Sequence, residues 1–338
     1  MSKFLRLEKS RYTEWKPTAH IFSRGVRLGG NYKGGKYAYP FCLPQDCGNE
    51  NLAREIRERA LAYFDSHAIK WHDGHNQTPS NHLCDSQVCC VNFLFPFANQ
   101  PDALKDLLQP VYRDIAQMLP FSDEDNQFVA FEWIGKDNYL SEVKREGQRR
   151  TRGANFTSTD AMVMFERKNG SKQIVLIEWK YTESYSPVPL HKARSGRDRR
   201  EIYRHLYERD DCPLDKKVLK NYDALFYEPF YQLMRQQFLA HEMECAHEFG
   251  AKVASLLHIS PAHNGELERV TSIGLLDLNI GTTVTDIWKK LVKPANRFAS
   301  VHTEELFGKF PVDNHPEMNQ VWSYLLERYP WFQEAMPG

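Results

Sequence analysis

The feature that most constrains this chain is "STDAMVMFERKNGSKQIVLIEWKY", residues 158 to 181. Two apolar runs flank Lys168-Asn169-Gly170-Ser171, and Asn-Gly between such runs is a strong hairpin signal. Ile174 to Ile177 are apolar without alternation, the pattern of a strand covered on both faces and therefore central in its sheet. That strand ends on Glu178, Trp179 and Lys180. Side chains alternate along a strand, so Glu178 and Lys180 share one face, while Ile177 and Trp179 take the other.

The first strand offers a third group, Asp160, and register decides whether it joins them. If Lys168 pairs with Ser171, Asp160 faces Trp179 and misses the patch. If Lys168 pairs with Lys172, Asp160 lies opposite Lys180 and joins it. The second case needs a three-residue loop, 169 to 171, with Gly170 available for a left-handed position. A shared patch therefore predicts an odd-length loop or a compensating bulge.

Around this hairpin the chain alternates helix and strand signals. Helices are expected in "NENLAREIRERALAYF" and in "PDALKDLLQPVYRDIAQML", the latter kinked or divided at Pro110. "QFVAFEWI", 127 to 134, reads as a strand. After the hairpin come a basic helical stretch, a long helix beginning near Pro229, and the strand "AKVASLLHIS". Helices at 283 to 292, 303 to 308 and 315 to 329 complete the tail. The order suits an α/β fold, with a mixed central β-sheet flanked by helices. Residues 1–120 are expected as an N-terminal extension capping a core formed by 121–338.

The 338 residues suffice for a substantial core, and 44 Lys+Arg against 44 Asp+Glu leave no net charge. Any nucleic-acid surface must then be local. The charged N-terminus is no secretory signal, and "VCCVNFLFPFA" is too short for a membrane span, so a soluble cytoplasmic protein is expected. Seven Cys without a signal peptide argue against a disulfide framework. Cys42, Cys47, His82, Cys84, Cys89 and Cys90 would offer a structural zinc site, though their spacings match no standard finger. "HEMECAH", 241 to 247, fails as a zinc-protease motif because Cys245 stands where the second His belongs.

Two carboxylates and a lysine at a strand end suit metal-assisted phosphoryl hydrolysis, since Mg²⁺ prefers carboxylate oxygens, phosphate and water. Asp160, a 17-residue gap, then Glu178-Trp179-Lys180 resembles the PD-(D/E)XK nuclease superfamily, of restriction-endonuclease-like fold. "TSTDAMV…LIEWKYTESY" is similar to a little-characterised bacterial group within it. Thr159 replaces the Pro of the "PD" pair. The resemblance, carried by residues 130 to 260, implies that Asp160 and Glu178 bind Mg²⁺ (or Mn²⁺) and that Lys180 positions the attacking water.

A superfamily site often has a further upstream acid. Glu142 is preferred over Glu132, because Tyr139, Leu140 and Val143 would anchor a helix presenting it. Two basic runs bracket the site, "KREGQRRTR" with Arg149, Arg150 and Arg152, and "KARSGRDRREIYR" with Lys192 and Arg194. Both would approach a phosphate backbone. Gln232 and Arg235, on neighbouring turns of the long helix, are expected to contact substrate or support the site. The expected partner is nucleic acid, DNA before RNA, with no membrane; a homodimer is left open. The competing reading is a non-catalytic nucleic-acid-binding or assembly protein, with the hairpin merely structural.

Overall fold

The computed structural model describes residues 2–121, 126–142, 150–153, 156–193 and 195–334. Its helices are α1 (Lys3–Trp15), α2 (Arg54–Ser66), α3 (Ser86–Leu94), α4 (Pro101–Leu108), α5 (Arg200–Glu208), α6 (Phe230–Cys245), α7 (Ile273–Leu276), α8 (Val284–Leu291), α9 (Thr303–Gly308) and α10 (Asn319–Arg328). The strands are the short pair β1 (Gly30–Asn31) and β2 (Ala38–Tyr39), then β3 (Ile115–Leu119), β4 (Val129–Trp133), β5 (Thr159–Arg167), β6 (Lys172–Trp179), β7 (Ala251–Ser260) and β8 (Phe298–His302). The last six form one mixed sheet in the order β3-β5-β6-β7-β8, with β4 also paired to β5. β5 is antiparallel to β3, β4 and β6, whereas β6, β7 and β8 run parallel. This is the mixed α/β arrangement expected from the order of elements, and it is consistent with the restriction-endonuclease-like fold that the resemblance implies.

One expectation is corrected, and one strand is added. The stretch 101 to 119 is not helical throughout: α4 ends before Pro110, and 115 to 119 is β3, paired with β5. Proline cannot continue the helix, and an open edge of β5 is there to be filled. "FASVH", not singled out in the sequence, is β8 at the far edge.

The hairpin loop has three residues, 168 to 170. The Arg167 N–H donates to the Ser171 carbonyl at 2.8 Å, and Gly170 N–H to the Arg167 carbonyl at 2.8 Å. Gly170 has φ +79°, a conformation that costs a side-chain-bearing residue about 1–2 kcal/mol. The loop is odd in length, as expected, but lies one residue earlier. Ala161 therefore pairs with Ile177, and the same register places Asp160 opposite Glu178 rather than Lys180.

The sheet separates two apolar cores. Ala161, Val163, Phe165, Val175, Ile177, Trp179, Leu257 and Ile259 face one side, packed under α1 to α4 and the C-terminal helices. Met162, Met164, Ile174, Leu176, Ala254 and Leu256 face the other, under α5, α6 and α8. Residues 2–120 thus pack directly on the sheet, and β3, which precedes residue 120, is hydrogen-bonded within it. Each fully buried Leu or Ile side chain contributes about 1.5–3 kcal/mol of hydrophobic stabilisation, an upper range. β6, in mid-sheet, collects four in a row, Ile174 to Ile177, each with 0% exposure.

Both ends of the chain meet at the exit of β6. Ser2 Oγ donates to the Thr182 carbonyl at 3.2 Å, and the Tyr12 and Tyr181 hydroxyls lie 3.0 Å apart. Tyr12 OH also donates to the Arg328 carbonyl, at 3.3 Å. The buried Arg328 guanidinium donates to the Leu83 carbonyl, to Tyr324 OH and to the Asn51 side chain.

Candidate active site

A polar row crosses this otherwise apolar sheet. Phe131 pairs with Ala161 and Trp133 with Thr159, which puts Glu132 opposite Asp160. Asp160 stands opposite Glu178, Glu178 pairs with His258, and His258 with Ser300. Four neighbouring strands thus bring Glu132, Asp160, Glu178 and His258 side by side, with Lys180 two residues beyond Glu178 on the same face.

The row opens on a cleft of about 520 Å³. Glu132, Ser158, Asp160, Lys180 and Gln232 line it, together with Asp85 and Gln87 from the start of α3. Glu178, 1% exposed, lies beneath. Its Oε1 forms an ion pair with Lys180 Nζ and, among the described residues, accepts no hydrogen bond; its Oε2 accepts from Gln236 Nε2. Lys180 Nζ donates onward to Gln232 Oε1 at 2.7 Å. Gln232 and Gln236 are one turn apart on α6, so one helix face holds both members of the ion pair. Asp160 Oδ2 accepts the Trp179 N–H at 2.7 Å. Glu132 accepts from Gln87 Nε2 at 2.7 Å and from Ser158 Oγ at 2.8 Å. Its φ of +49° lies in the left-handed region, an uncommon place for a residue with a side chain.

The electrostatics follow from crowding carboxylates out of water. Burial, and then the negative charge of Glu178, raise the Asp160 pKa well above the carboxylate range; Glu132 adds to this and Lys180 opposes it. Burial likewise raises Glu132, against the pull of His72 and its hydrogen bonds. For Lys180, burial disfavours the charge, but Glu178 and the neighbouring Tyr185, Glu183 and Asp160 outweigh it, so the ammonium is held. Burial, then Lys180, push His258 down to about 3. It is a neutral imidazole, 3.1 Å from Ser300 Oγ.

The remaining expected residues divide. Glu142 lies in a second cleft, of about 760 Å³, with Tyr203 and Arg235. It accepts from Thr157 N–H at 2.8 Å, from Thr157 Oγ1 at 2.6 Å and from Tyr203 OH at 2.6 Å. The structure therefore places Glu132, not Glu142, beside Asp160. Arg235 joins Glu142's cleft, with Nη1 3.3 Å from Thr157 Oγ1 and its guanidinium over the Tyr231 ring. Arg150 donates to the carbonyls of Ile134 and Gly135 at 2.8 and 2.9 Å, and Arg152 Nε to that of Glu132 at 3.3 Å. Both brace the end of β4. Lys192 is exposed. Arg149 and Arg194 lie outside the described residues.

Sequence reasoning passed over Gln87, Ser158 and His258, whose only signal is long-range pairing. Of the N-terminal Cys/His set, Cys89 and Cys90 are buried in the α3 core, and His82 Nδ1 accepts the Cys84 N–H at 3.0 Å. Among the described residues, that set forms no group of three with mutually close ligand atoms.

The mixed sheet, with acids on adjacent strands and a lysine two residues past one of them, defines a restriction-endonuclease-like α/β protein. Comparison with protein families goes a step further. The chain belongs to the family described as restriction endonuclease associating with ARP, which matches residues 12–330. Comparisons with curated proteins and with solved structures find no match. Among the described residues no helix is long and apolar enough to cross a membrane.

Proposed function

We propose that this protein is a divalent-metal-dependent nuclease that hydrolyses phosphodiester bonds, with DNA as its first substrate. The observation that carries the reading is the row of Glu132, Asp160 and Glu178 on adjacent strands, with Lys180 paired to the last of them. Burial and the neighbouring carboxylates raise the proton affinity of Asp160 and Glu132, and a bound divalent cation would relieve that repulsion. The donors are all oxygen, which suits Mg²⁺ or Mn²⁺. Among the described residues Glu178 Oε1 is buried with no partner but Lys180, so it has a lone pair to give.

Asp160 and Glu178 would hold the cation, with Glu132 as the additional acid. A cation held by these residues would supply Lewis acidity to the attacking water and would offset charge on the scissile phosphate. Lys180, a compact charge fixed by Glu178 and Gln232, orients the attacking water and stabilises negative charge developing on the phosphoryl oxygens. Gln236 and Gln232 set the rotamers of Glu178 and Lys180. The second cleft, with Arg235, Arg197 and Arg199 beside Tyr231 and Tyr203, has the chemistry to receive backbone phosphate and an unstacked base.

The test is incubation of the purified chain with duplex, branched and single-stranded DNA and with RNA, each with Mg²⁺, with Mn²⁺ and with EDTA. Cleavage that needs the metal and disappears in Asp160→Ala supports the reading. Salt-sensitive binding indifferent to Mg²⁺, with no cut on any substrate, would replace it with that of a non-catalytic binding protein.

A further inference from the structure

A second set of ligand-type side chains lies at the far end of α6. His241 and Cys245 are one helical turn apart on one face. Asp211, in the turn that follows α5, lies against both. His241 Nε2 is 3.4 Å from Asp211 Oδ2 and 3.6 Å from Cys245 Sγ, and the three ligand atoms all lie within 4.8 Å of one another. From Gln232 to His241 is nine residues, about 14 Å along a helix at 1.5 Å per residue, so this cluster is separate from the acidic cleft.

The spacing is informative. An N–H···O hydrogen bond spans about 2.7–3.2 Å, and the His241–Asp211 approach is longer than that. Around a tetrahedral zinc, with nitrogen at about 2.0–2.1 Å, oxygen at about 2.0–2.2 Å and sulfur at about 2.3 Å, ligand atoms stand about 3.3–3.6 Å apart. The His241 distances match that edge length for both neighbours. Asp211 is also held from behind. Arg209 donates to it through Nε at 2.8 Å and Nη2 at 2.6 Å, and reaches Glu242 on α6 through Nη1 at 2.6 Å. This is the outer hydrogen-bonding that orients a ligating carboxylate and leaves its other lone pairs free.

We propose that Asp211, His241 and Cys245 form a zinc site. Thiolate and imidazole donors select zinc over Mg²⁺. Three protein ligands leave the fourth position to water, and Cys245 is exposed while His241 is half-buried, so the ion has an entry path. Zinc would tie the turn after α5 to the last turn of α6, the helix whose other end carries Gln232 and Gln236. The site does not depend on the nuclease reading.

The test uses the full chain stripped with EDTA and titrated with Zn²⁺ by calorimetry, then with Co²⁺ as a spectroscopic probe. One equivalent should bind through the thiolate, with a sulfur-to-cobalt charge-transfer band and a rise in melting temperature. Cys245→Ser and His241→Ala should each weaken binding by at least about tenfold, while Asp160→Asn should leave it unchanged. Absence of the thiolate band in the unmutated protein, equal affinity in Cys245→Ser, or loss of the equivalent in Asp160→Asn would each overturn the site. The cobalt spectrum needs no variant, so a variant that misfolds does not shield the proposal.

Discussion

Glu178 and Lys180 are paired side chains on one face of β6, and each is gripped by a different glutamine of α6. The pair is buried, with 1% and 7% of each residue exposed. Lys180→Ala should therefore do two things. It should lower metal-dependent cleavage by at least about 100-fold, through loss of the charge facing the phosphoryl group. It should also destabilise the protein, because Glu178 is left as an uncompensated buried acid. Cleavage kinetics and urea melts measure the two separately. Unchanged cleavage in a folded Lys180→Ala variant would remove Lys180 from the mechanism.

Glu132 and Glu142 make opposite predictions. Glu132 lines the cleft with Asp160, whereas Glu142 is bound to Thr157 and Tyr203 in the other one. Glu132→Gln should lower the cleavage rate at saturating DNA by about 10-fold or more and weaken Mg²⁺ activation. Glu142→Gln should leave the rate within a few-fold and act on substrate affinity instead. A rate loss confined to Glu142→Gln would reverse the assignment.

The raised Asp160 pKa fixes the sign of a pH effect. In the folded protein Asp160 keeps its proton to higher pH than in the unfolded chain, where an Asp titrates near about 3.9. Its contribution to stability is therefore present at low pH and lost as pH rises through the folded value. Without divalent metal, melting temperature should fall as pH rises above the ordinary carboxylate range, and Asp160→Asn should flatten that fall and raise the high-pH value by roughly 2 °C or more. Mg²⁺, which needs the ionised acids, should bind more tightly as pH rises. A metal-free profile identical in Asp160→Asn would dissociate the slope from this residue.

Gly170 tests the turn alone. An added Cβ would meet nothing within 4 Å, so Gly170→Ala has no clash to relieve and only its φ of +79° to suffer. The expected cost is about 1–2 kcal/mol in urea denaturation, with the m-value unchanged. No measurable cost would mean that the loop does not need the left-handed residue to set the register.

What was legible in the sequence is what depends on near neighbours. Asn169-Gly170 announces the hairpin, and the two-residue period puts Glu178 and Lys180 on one face. Their company was harder to read. Glu132 joins Asp160 only because β4 pairs with β5 in a particular register and bends into a left-handed φ, neither visible in "FVAFEWI". Glu142 has the better local anchors, yet the turns around it lead to Tyr203. β3 and β8 are short strands whose identity comes from the edge each fills, and the apolar pattern of 111 to 119 serves helix or strand equally well. The cluster of Asp211 with His241 and Cys245 needs the docking of α5's end against α6.

The joining of both chain ends at the exit of β6 has a bearing on how the protein comes into being. A ribosome delivers Asp160, Glu178 and Lys180 well before Arg328, whose guanidinium and carbonyl tie Leu83, Asn51, Tyr324 and Tyr12 together around that exit. Until Arg328 emerges, Tyr12 lacks its carbonyl acceptor, and Leu83, Asn51 and Tyr324 lack their shared guanidinium. A prematurely terminated chain would carry Asp160, Glu178 and Lys180 without the Arg328 tie that joins Tyr12, Leu83, Asn51 and Tyr324.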